Sequence, residues 1–164
     1  MNERWKKIRG FPDYSVSDTG LVRSDKSGRI LRLSENQYGV MNVGMMKDGE
    51  QRHRSVPLLV AKAFLPNKRP AFDTPINLDG NRHNNHLENL AWRPRWFAAK
   101  YNRQFRDGFR YPIEEKIRDI KTGEIYESTL DAAMKNGLLE EEIVFAILNH
   151  NYVWPTYQEF EIID

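Results

Sequence analysis

The stretch PINLDGNRHNNHLENLAW, residues 75–92, decides the fold of this chain. Its first residues alternate apolar and polar side chains like a short strand, and Asp79-Gly80 follows as a strong turn signal. The pair Asn84-Asn85 tolerates tight or left-handed backbone, and residues 89–92 return to an alternating pattern. Pro94 can then open a helix. The predicted order is strand, ordered loop, strand, helix.

These residues resemble the core of the HNH homing endonucleases. The residues that match the usual wording of the family motif are Asp79-Gly80, Asn84-Asn85, Glu88-Asn89-Leu90 and Trp92. Residues 60–67 resemble the helix that precedes this motif in the family, and residues 5–24 resemble a small module that often comes before it. The resemblance covers roughly residues 4–105.

The resemblance implies an α+β fold in three parts. A small N-terminal β module, associated with nucleases of this family, would take residues 1–36. An HNH-like ββα-metal domain would take residues 37–106. Residues 107–164 would form an acidic module with a hairpin and a helix-turn-helix-like pair, and we expect the linker before it at residues 104–112.

The resemblance also implies a chemistry, and the residues of this chain depart from it. In the family the first histidine of the motif deprotonates the attacking water, while a divalent cation stabilises the leaving oxygen of the phosphodiester. Leu78 takes the place of this histidine, and it can neither accept a proton nor bind a metal. Asn77, with Asp79 beside it, stands for the first metal ligand, and the second ligand position falls on Ala98. Asn89 is kept, but it has no base to orient.

Three functions stay open. The first is a DNA-binding protein with a degraded, inactive nuclease centre, reused as a regulator. The second is an active metal-dependent endonuclease that nicks or cuts duplex DNA, with Mg²⁺ or Mn²⁺ and a rearranged centre in which His53, His83 or His86 works with Asp79. The third is a protein-binding inhibitor that no longer uses DNA. The candidate catalytic residues are Asn77, Asn89, His83 and His86, and the candidate metal ligands are Asn77 and Asp79.

Charge divides the chain into two halves. Residues 1–111 carry 21 Lys and Arg against 11 Asp and Glu, whereas residues 112–164 carry 4 against 12. A basic half of this size suits phosphate binding, and the acidic half would repel DNA. We therefore expect double-stranded DNA as the partner of the first half, and a protein partner or the chain's own basic half for the acidic module. The predicted DNA contacts are Lys47, Arg52, Arg54, Arg82, Arg93, Arg95, Lys100 and Arg103.

The composition argues against other classes of protein. The chain has no cysteine, so it has no disulfide framework and no thiolate zinc site. No run approaches the roughly 18 apolar residues of a membrane span, and the N-terminus lacks the apolar run of a signal peptide. We expect a soluble cytoplasmic protein without a membrane partner, encoded by a phage and acting in a bacterial host.

Local patterns predict the remaining elements. They are a hairpin over residues 38–56 that turns at Lys47-Asp48-Gly49, a helix from Pro57 to Leu65, a hairpin over residues 115–126, a helix capped by Ser128 and ended by Gly137, a helix opening at Glu140, and a last strand near Phe160.

Overall fold

The structure, a computed structural model, describes residues 2–164. Its strands are β1 (Trp5–Ile8), β2 (Phe11–Ser17), β3 (Val22–Ser24), β4 (Leu33–Glu35), β5 (Met41–Lys47), β6 (Glu50–Ser55), β7 (Thr74–Asn77), β8 (Leu90–Arg93), β9 (Ile117–Asp119), β10 (Ile125–Tyr126) and β11 (Phe160–Ile162). Its helices are α1 (Val56–Phe64), α2 (Arg95–Asp107), α3 (Thr129–Asn136) and α4 (Glu140–Asn149). The mixture of short sheets and helices confirms the predicted α+β class. Within residues 2–164, no helix combines the length and the apolar character that crossing a bilayer requires.

Contacts divide the chain into two compact units. The first contains the residues up to Asn77 together with Asn81–Arg95, and the second contains Leu78–Gly80 together with Trp96–Asp164. The chain therefore passes between the units within the central motif itself. The predicted domain boundaries at residues 36/37 and 106/107 stay predictions, although β4 pairs with β5 across the first of them.

The first unit contains three antiparallel sheets and α1. The sheet orders are β1-β2-β3, β4-β5-β6 and β7-β8. Apolar residues that alternate along the strands, such as Val16 and Val43, are fully buried in one core with Val56 and Val60 of α1. The Nε1 of Trp92 donates to the Leu65 carbonyl at 3.0 Å, which joins β8 to the end of α1. This core positions the loop between β7 and β8.

The hairpin predicted over residues 38–56 is confirmed as β5 and β6. Lys47 lies opposite Glu50, so the turn has two residues, Asp48 and Gly49. Both have positive φ, 51° and 79°, as the type I′ turn requires. The helix predicted at Pro57 is confirmed as α1, where the missing N–H of proline in the first turn removes no helical hydrogen bond.

The second unit confirms the predicted hairpin, helix pair and last strand. Strand β9 lies between β10 and β11 in an antiparallel sheet. The side chain of Ser128 accepts from the backbone N–H of Asp131 at 3.1 Å and caps α3, and Gly137 ends this helix in the left-handed conformation. A second core fills the space between this sheet and α3 and α4.

Helix α2 is longer than predicted. It continues to Asp107, so the linker expected from residue 104 begins too early. Gln104 explains the difference, because its Nε2 donates to the Leu138 carbonyl at 3.2 Å and its Oε1 accepts from the Glu140 N–H at 2.9 Å. These bonds satisfy backbone groups between α3 and α4 and fix the end of α2.

Glu140 is an acidic side chain inside the second unit. It is 5 % exposed, and its Oε1 accepts from the Thr129 hydroxyl at 2.9 Å. Burial raises the pKa of Glu140, because it disfavours the ionised carboxylate, and the hydrogen bond from Thr129 offsets part of this effect. At neutral pH the ionised carboxylate of Glu140 is therefore less stable in the folded protein than in the unfolded chain.

Replacement of Glu140 by Gln should stabilise the protein increasingly as pH rises. The pKa of Glu140 is raised on folding, so its favourable contribution is full below the unfolded value of about 4.3 and is lost as pH rises through the folded pKa. We expect the Tm of Glu140→Gln to exceed that of the parent by a margin that grows as pH rises above the range in which the unfolded carboxyl titrates. Glu142→Gln, on the exposed face of α4, is the control. An equal margin at every pH would contradict the prediction.

Candidate functional site

Side-chain amides hold the loop between β7 and β8. Asn77, buried at the end of β7, donates through Nδ2 to the Asn84 carbonyl at 2.8 Å and to Oδ1 of Asn85 at 3.0 Å. Asn89, just before β8, donates through its own Nδ2 to the same Asn84 carbonyl at 2.8 Å. The Asn84 carbonyl therefore accepts an amide hydrogen bond from each end of the loop. We call Asn77, Asn84, Asn85 and Asn89 the asparagine network.

The turn between β2 and β3 packs against this network. Asn85 is buried, and a Cβ added at Gly20 would lie 3.1 Å from the Cβ of Asn85. Gly20 also has a φ of +92°, a backbone conformation that residues with a side chain rarely adopt. The close contact with Asn85 and the positive φ therefore both favour glycine at this position. The N–H of Leu87 donates to the Asp18 carbonyl at 2.8 Å. The N-terminal strands thus support the loop directly.

The turn Leu78–Gly80 is held within the second unit by aromatic residues of α2. The buried Tyr101 donates its hydroxyl to the Leu78 carbonyl at 2.7 Å. Gly80 has a φ of +74°, and a Cβ there would lie 2.4 Å from the ring of Phe105. These contacts reach the backbone of the turn. The half-buried side chain of Leu78 brings no polar atom to the position.

The candidate histidines lie on the exposed side of the loop. The Nε2 of His83 is 3.0 Å from Oε2 of Glu35 in β4, and half or more of each side chain is exposed. His86 is exposed and lines a shallow pocket of about 350 Å³. The other residues that line this pocket are Asn84, Glu88 and Asn89. The structure therefore gives His83 a carboxylate partner, which the sequence did not reveal because Glu35 is 48 positions away.

Of the two residues proposed as metal ligands, only Asp79 carries a carboxylate. Asn77 is a neutral amide whose amino group donates within the asparagine network, which leaves only its amide oxygen as a possible ligand. Ala98, at the second ligand position, is a buried residue without a donor atom. Across residues 2–164, no three His, Asp or Glu side chains are grouped so that they could hold a metal ion. Magnesium and calcium sites in proteins are built from several oxygen ligands, and carboxylates are prominent among them.

Most of the predicted DNA contacts are exposed cations. Lys47, Arg52 and Arg54 lie on the β5–β6 hairpin, and Lys47 and Arg54 pass over the ring of Phe11 at 5.5 and 5.1 Å. The others lie on α2 and are Arg95, Lys100 and Arg103. Each group presents several positive charges along one element.

Two of the predicted DNA contacts have structural roles. Arg93 is 8 % exposed, and its Nη1 donates to the Trp92 carbonyl at 2.8 Å, so little of this side chain reaches the surface and a phosphate contact at Arg93 stays a prediction. Arg82 is half-buried and donates to the Tyr38 carbonyl, and burial lowers the pKa of its guanidinium. A sequence pattern of alternating cations does not show which of them the fold buries.

Comparisons with known proteins agree with this geometry. Residues 3–45 match the NUMOD4 motif, over the predicted N-terminal module. The chain is 28 % identical over 169 residues to the uncharacterized HNH endonuclease L245 of Acanthamoeba polyphaga mimivirus, an alignment that covers 98 % of the chain and 50 % of that protein. It is 36 % identical over 89 residues to the DNA endonuclease I-HmuI of Bacillus phage SP01, an alignment that covers 54 % of the chain and 51 % of that protein. A solved structure describing DNA binding and cleavage by the HNH homing endonuclease I-HmuI superposes with a TM-score of 0.56 at 26 % identity, covering 98 % of both chains.

By sequence and by fold, the chain is similar to the HNH homing endonucleases. It spans about half the length of the curated relatives it matches. Its α+β fold matches that of the superposed structure over nearly the whole chain. The asparagine network and the Leu78–Gly80 turn therefore lie in the segment that resembles the HNH motif.

Replacement of Asn77 by Ala should destabilise the protein even without metal. The change removes two hydrogen bonds and leaves the buried Oδ1 of Asn85 without this donor, which costs about 1–3 kcal/mol. Urea unfolding in the presence of a chelator measures the loss. Asn102→Ala, on α2 and outside the network, is the control and should stay near the parent value. A stability equal to that of the parent would contradict a structural role for Asn77.

Proposed function

We propose that this chain binds double-stranded DNA through its basic half and that its nuclease centre is degraded and inactive. The observation that carries the proposal is Leu78, whose side chain has no lone pair for a proton and no ligand atom for a metal. The directed amino group of Asn77 and the buried Ala98 support the same conclusion. Hydrolysis of a phosphodiester by this family's route needs both a base and a cation.

The basic surface supports DNA binding independently of the nuclease centre. The β5–β6 hairpin is a two-stranded ribbon with cations on exposed positions, and a ribbon of this kind fits the major groove. Each phosphate that a Lys or Arg neutralises releases condensed counterions, so binding of this type weakens as salt rises. None of these contacts depends on a general base.

Purified protein should retard duplex DNA but leave supercoiled plasmid uncut with Mg²⁺ or Mn²⁺. We expect log Kd to change linearly with log salt, and Arg103→Ala, which removes one exposed cation of α2, to lower the slope by about one. Gel retardation at several salt concentrations measures the slope, and conversion of supercoiled plasmid to the nicked form measures cleavage. Glu88→Gln, an exposed carboxylate in the loop, is a charge control that should not lower the slope.

An active endonuclease is the second candidate, and the His83–Glu35 pair favours it. A carboxylate 3.0 Å from an imidazole can orient the ring, as the general base of a hydrolytic site requires. Nicking by the parent that disappears in His83→Ala and falls in Glu35→Gln would replace the first proposal by this one. Metal dependence of that nicking would identify Mg²⁺ or Mn²⁺ as the cofactor.

We also propose a regulatory role for the acidic face of α4, defined by Glu141, Glu142, Phe145 and Leu148. Phe145 and Leu148 are 57 % and 70 % exposed, and they line an apolar groove of about 740 Å³ with Phe109 and Tyr111. Glu142 also lines this groove, and Glu141 is 4.0 Å from Lys100. This face suits a protein segment with apolar side chains flanked by Lys or Arg, and it opposes phosphate.

Neutralising the acidic face of α4 should strengthen DNA binding. The double change Glu141→Gln and Glu142→Gln removes two negative charges and frees Lys100 from its partner, so we expect Kd to fall by about twofold to fivefold at low salt and the effect to vanish at high salt. Fluorescence anisotropy with a labelled duplex measures it. Glu114→Gln with Glu115→Gln, exposed positions before β9, is the matched control. An unchanged Kd at low salt would remove the regulatory role.

A further inference from the structure

Trp96 is an exposed indole in the first turn of α2. It is 57 % exposed, although tryptophan is buried on average because its ring is large and mostly apolar. The other three tryptophans, Trp5, Trp92 and Trp154, are buried or half-buried. An exposed single apolar side chain needs no explanation by itself, so the argument rests on how this ring is held and on what surrounds it.

One face of the Trp96 ring is already packed. It stacks on Trp154 with ring centroids 5.3 Å apart and an interplanar angle of 25°. Phe97 meets its edge at 5.8 Å and 73°, and Phe97 also contacts Trp154 at 5.5 Å. Trp154 on one face and Phe97 at the edge therefore fix the position of the Trp96 ring. Its uncovered surface is the opposite face, which is presented in a defined orientation.

The surroundings of this ring on α2 are cationic. Lys100 and Arg103 follow at the i+4 and i+7 positions of the helix, so they lie on the same stripe as Trp96, and both are exposed. The neighbouring carboxylates are Glu141, which is 4.0 Å from Lys100, and Asp107, which pairs with Arg106. Arg103 adds a further cation to the stripe. A planar aromatic ring can stack on a nucleobase, and cations beside the ring can bind the adjacent phosphates.

We infer that Trp96 is a stacking site for a nucleobase of DNA at a step where the base stack is opened, with Lys100 and Arg103 on adjacent phosphates. The inference rests on the proposed DNA binding. It adds a contact that would distinguish DNA with an unstacked base from an intact duplex. Stacking on an aromatic side chain tolerates every base because each has a π face. An apolar wedge at a base step binds best where unstacking has already occurred, as at a mismatch or a gap.

The test compares Trp96→Ala, Trp96→Phe and the parent on a fluorescein-labelled duplex and on the same duplex with a one-nucleotide gap. We expect the parent to prefer the gapped DNA, Trp96→Ala to lose about tenfold in affinity for it, and Trp96→Phe to lose less. The salt slope should stay at the parent value in Trp96→Ala, because no phosphate contact is removed. Lys100→Ala should instead lower the slope. Tyr152→Ala, another exposed aromatic of the second unit, is the control.

Tryptophan fluorescence gives a second measurement that does not depend on the folding of the alanine variant. Gapped DNA should quench the emission of the parent through stacking on Trp96, and Trp96→Phe should lose this quenching while it still binds. Parent-like affinity of Trp96→Ala, or parent-like quenching in Trp96→Phe, would overturn the stacking site and leave the proposed DNA binding intact. A parent protein that binds neither duplex would instead overturn the proposed function.

Discussion

The Asn84 carbonyl is the acceptor on which the loop between β7 and β8 depends. Asn84 is half-buried, and a backbone carbonyl that is partly withdrawn from water needs donors within the protein. Asn77 and Asn89 supply two, one from the end of each strand, so a single acceptor joins both ends of the loop. Asn85 extends the same network toward Arg82 and against Gly20. Side-chain amides therefore fix the shape of the segment that resembles the HNH motif.

Stability and chemistry are carried by different atoms in this segment. Tyr101 holds the Leu78 carbonyl, and Phe105 covers Gly80, so the turn keeps its backbone whatever side chain stands at position 78. A leucine there adds apolar contact and requires no hydrogen-bond partner. The backbone contacts of the turn are thus compatible with an aliphatic residue at this position. This explains how the family scaffold and the departure at Leu78 occur in one chain.

Local turn and cap chemistry could be predicted from the sequence, whereas pairings between distant residues could not. The Asp48-Gly49 turn, the Ser128 cap and the Gly137 end depend on residues within a few positions of each other, and all three were found where expected. The amide of Gln104, which closes the α3–α4 connection, and the Glu35 partner of His83 depend on contacts 34 to 48 positions apart. Burial of Arg93 likewise depends on the packed fold. Charge and spacing carry no signal for such contacts.

Binding and hydrolysis respond differently to the loss of a residue. Affinity for DNA is the sum of many weak phosphate contacts that act nearly independently. The loss of one cation therefore removes only a small part of the total binding free energy. Hydrolysis needs the base, the cation and its ligands in place together, and removing one of them removes the reaction. Under the proposed function, a single aliphatic side chain at position 78 is therefore enough to abolish hydrolysis while DNA binding is kept. The cations of the β5–β6 hairpin and of α2 are not among the groups that the reaction would need at position 78. Their contacts with phosphate therefore do not depend on the residue at that position.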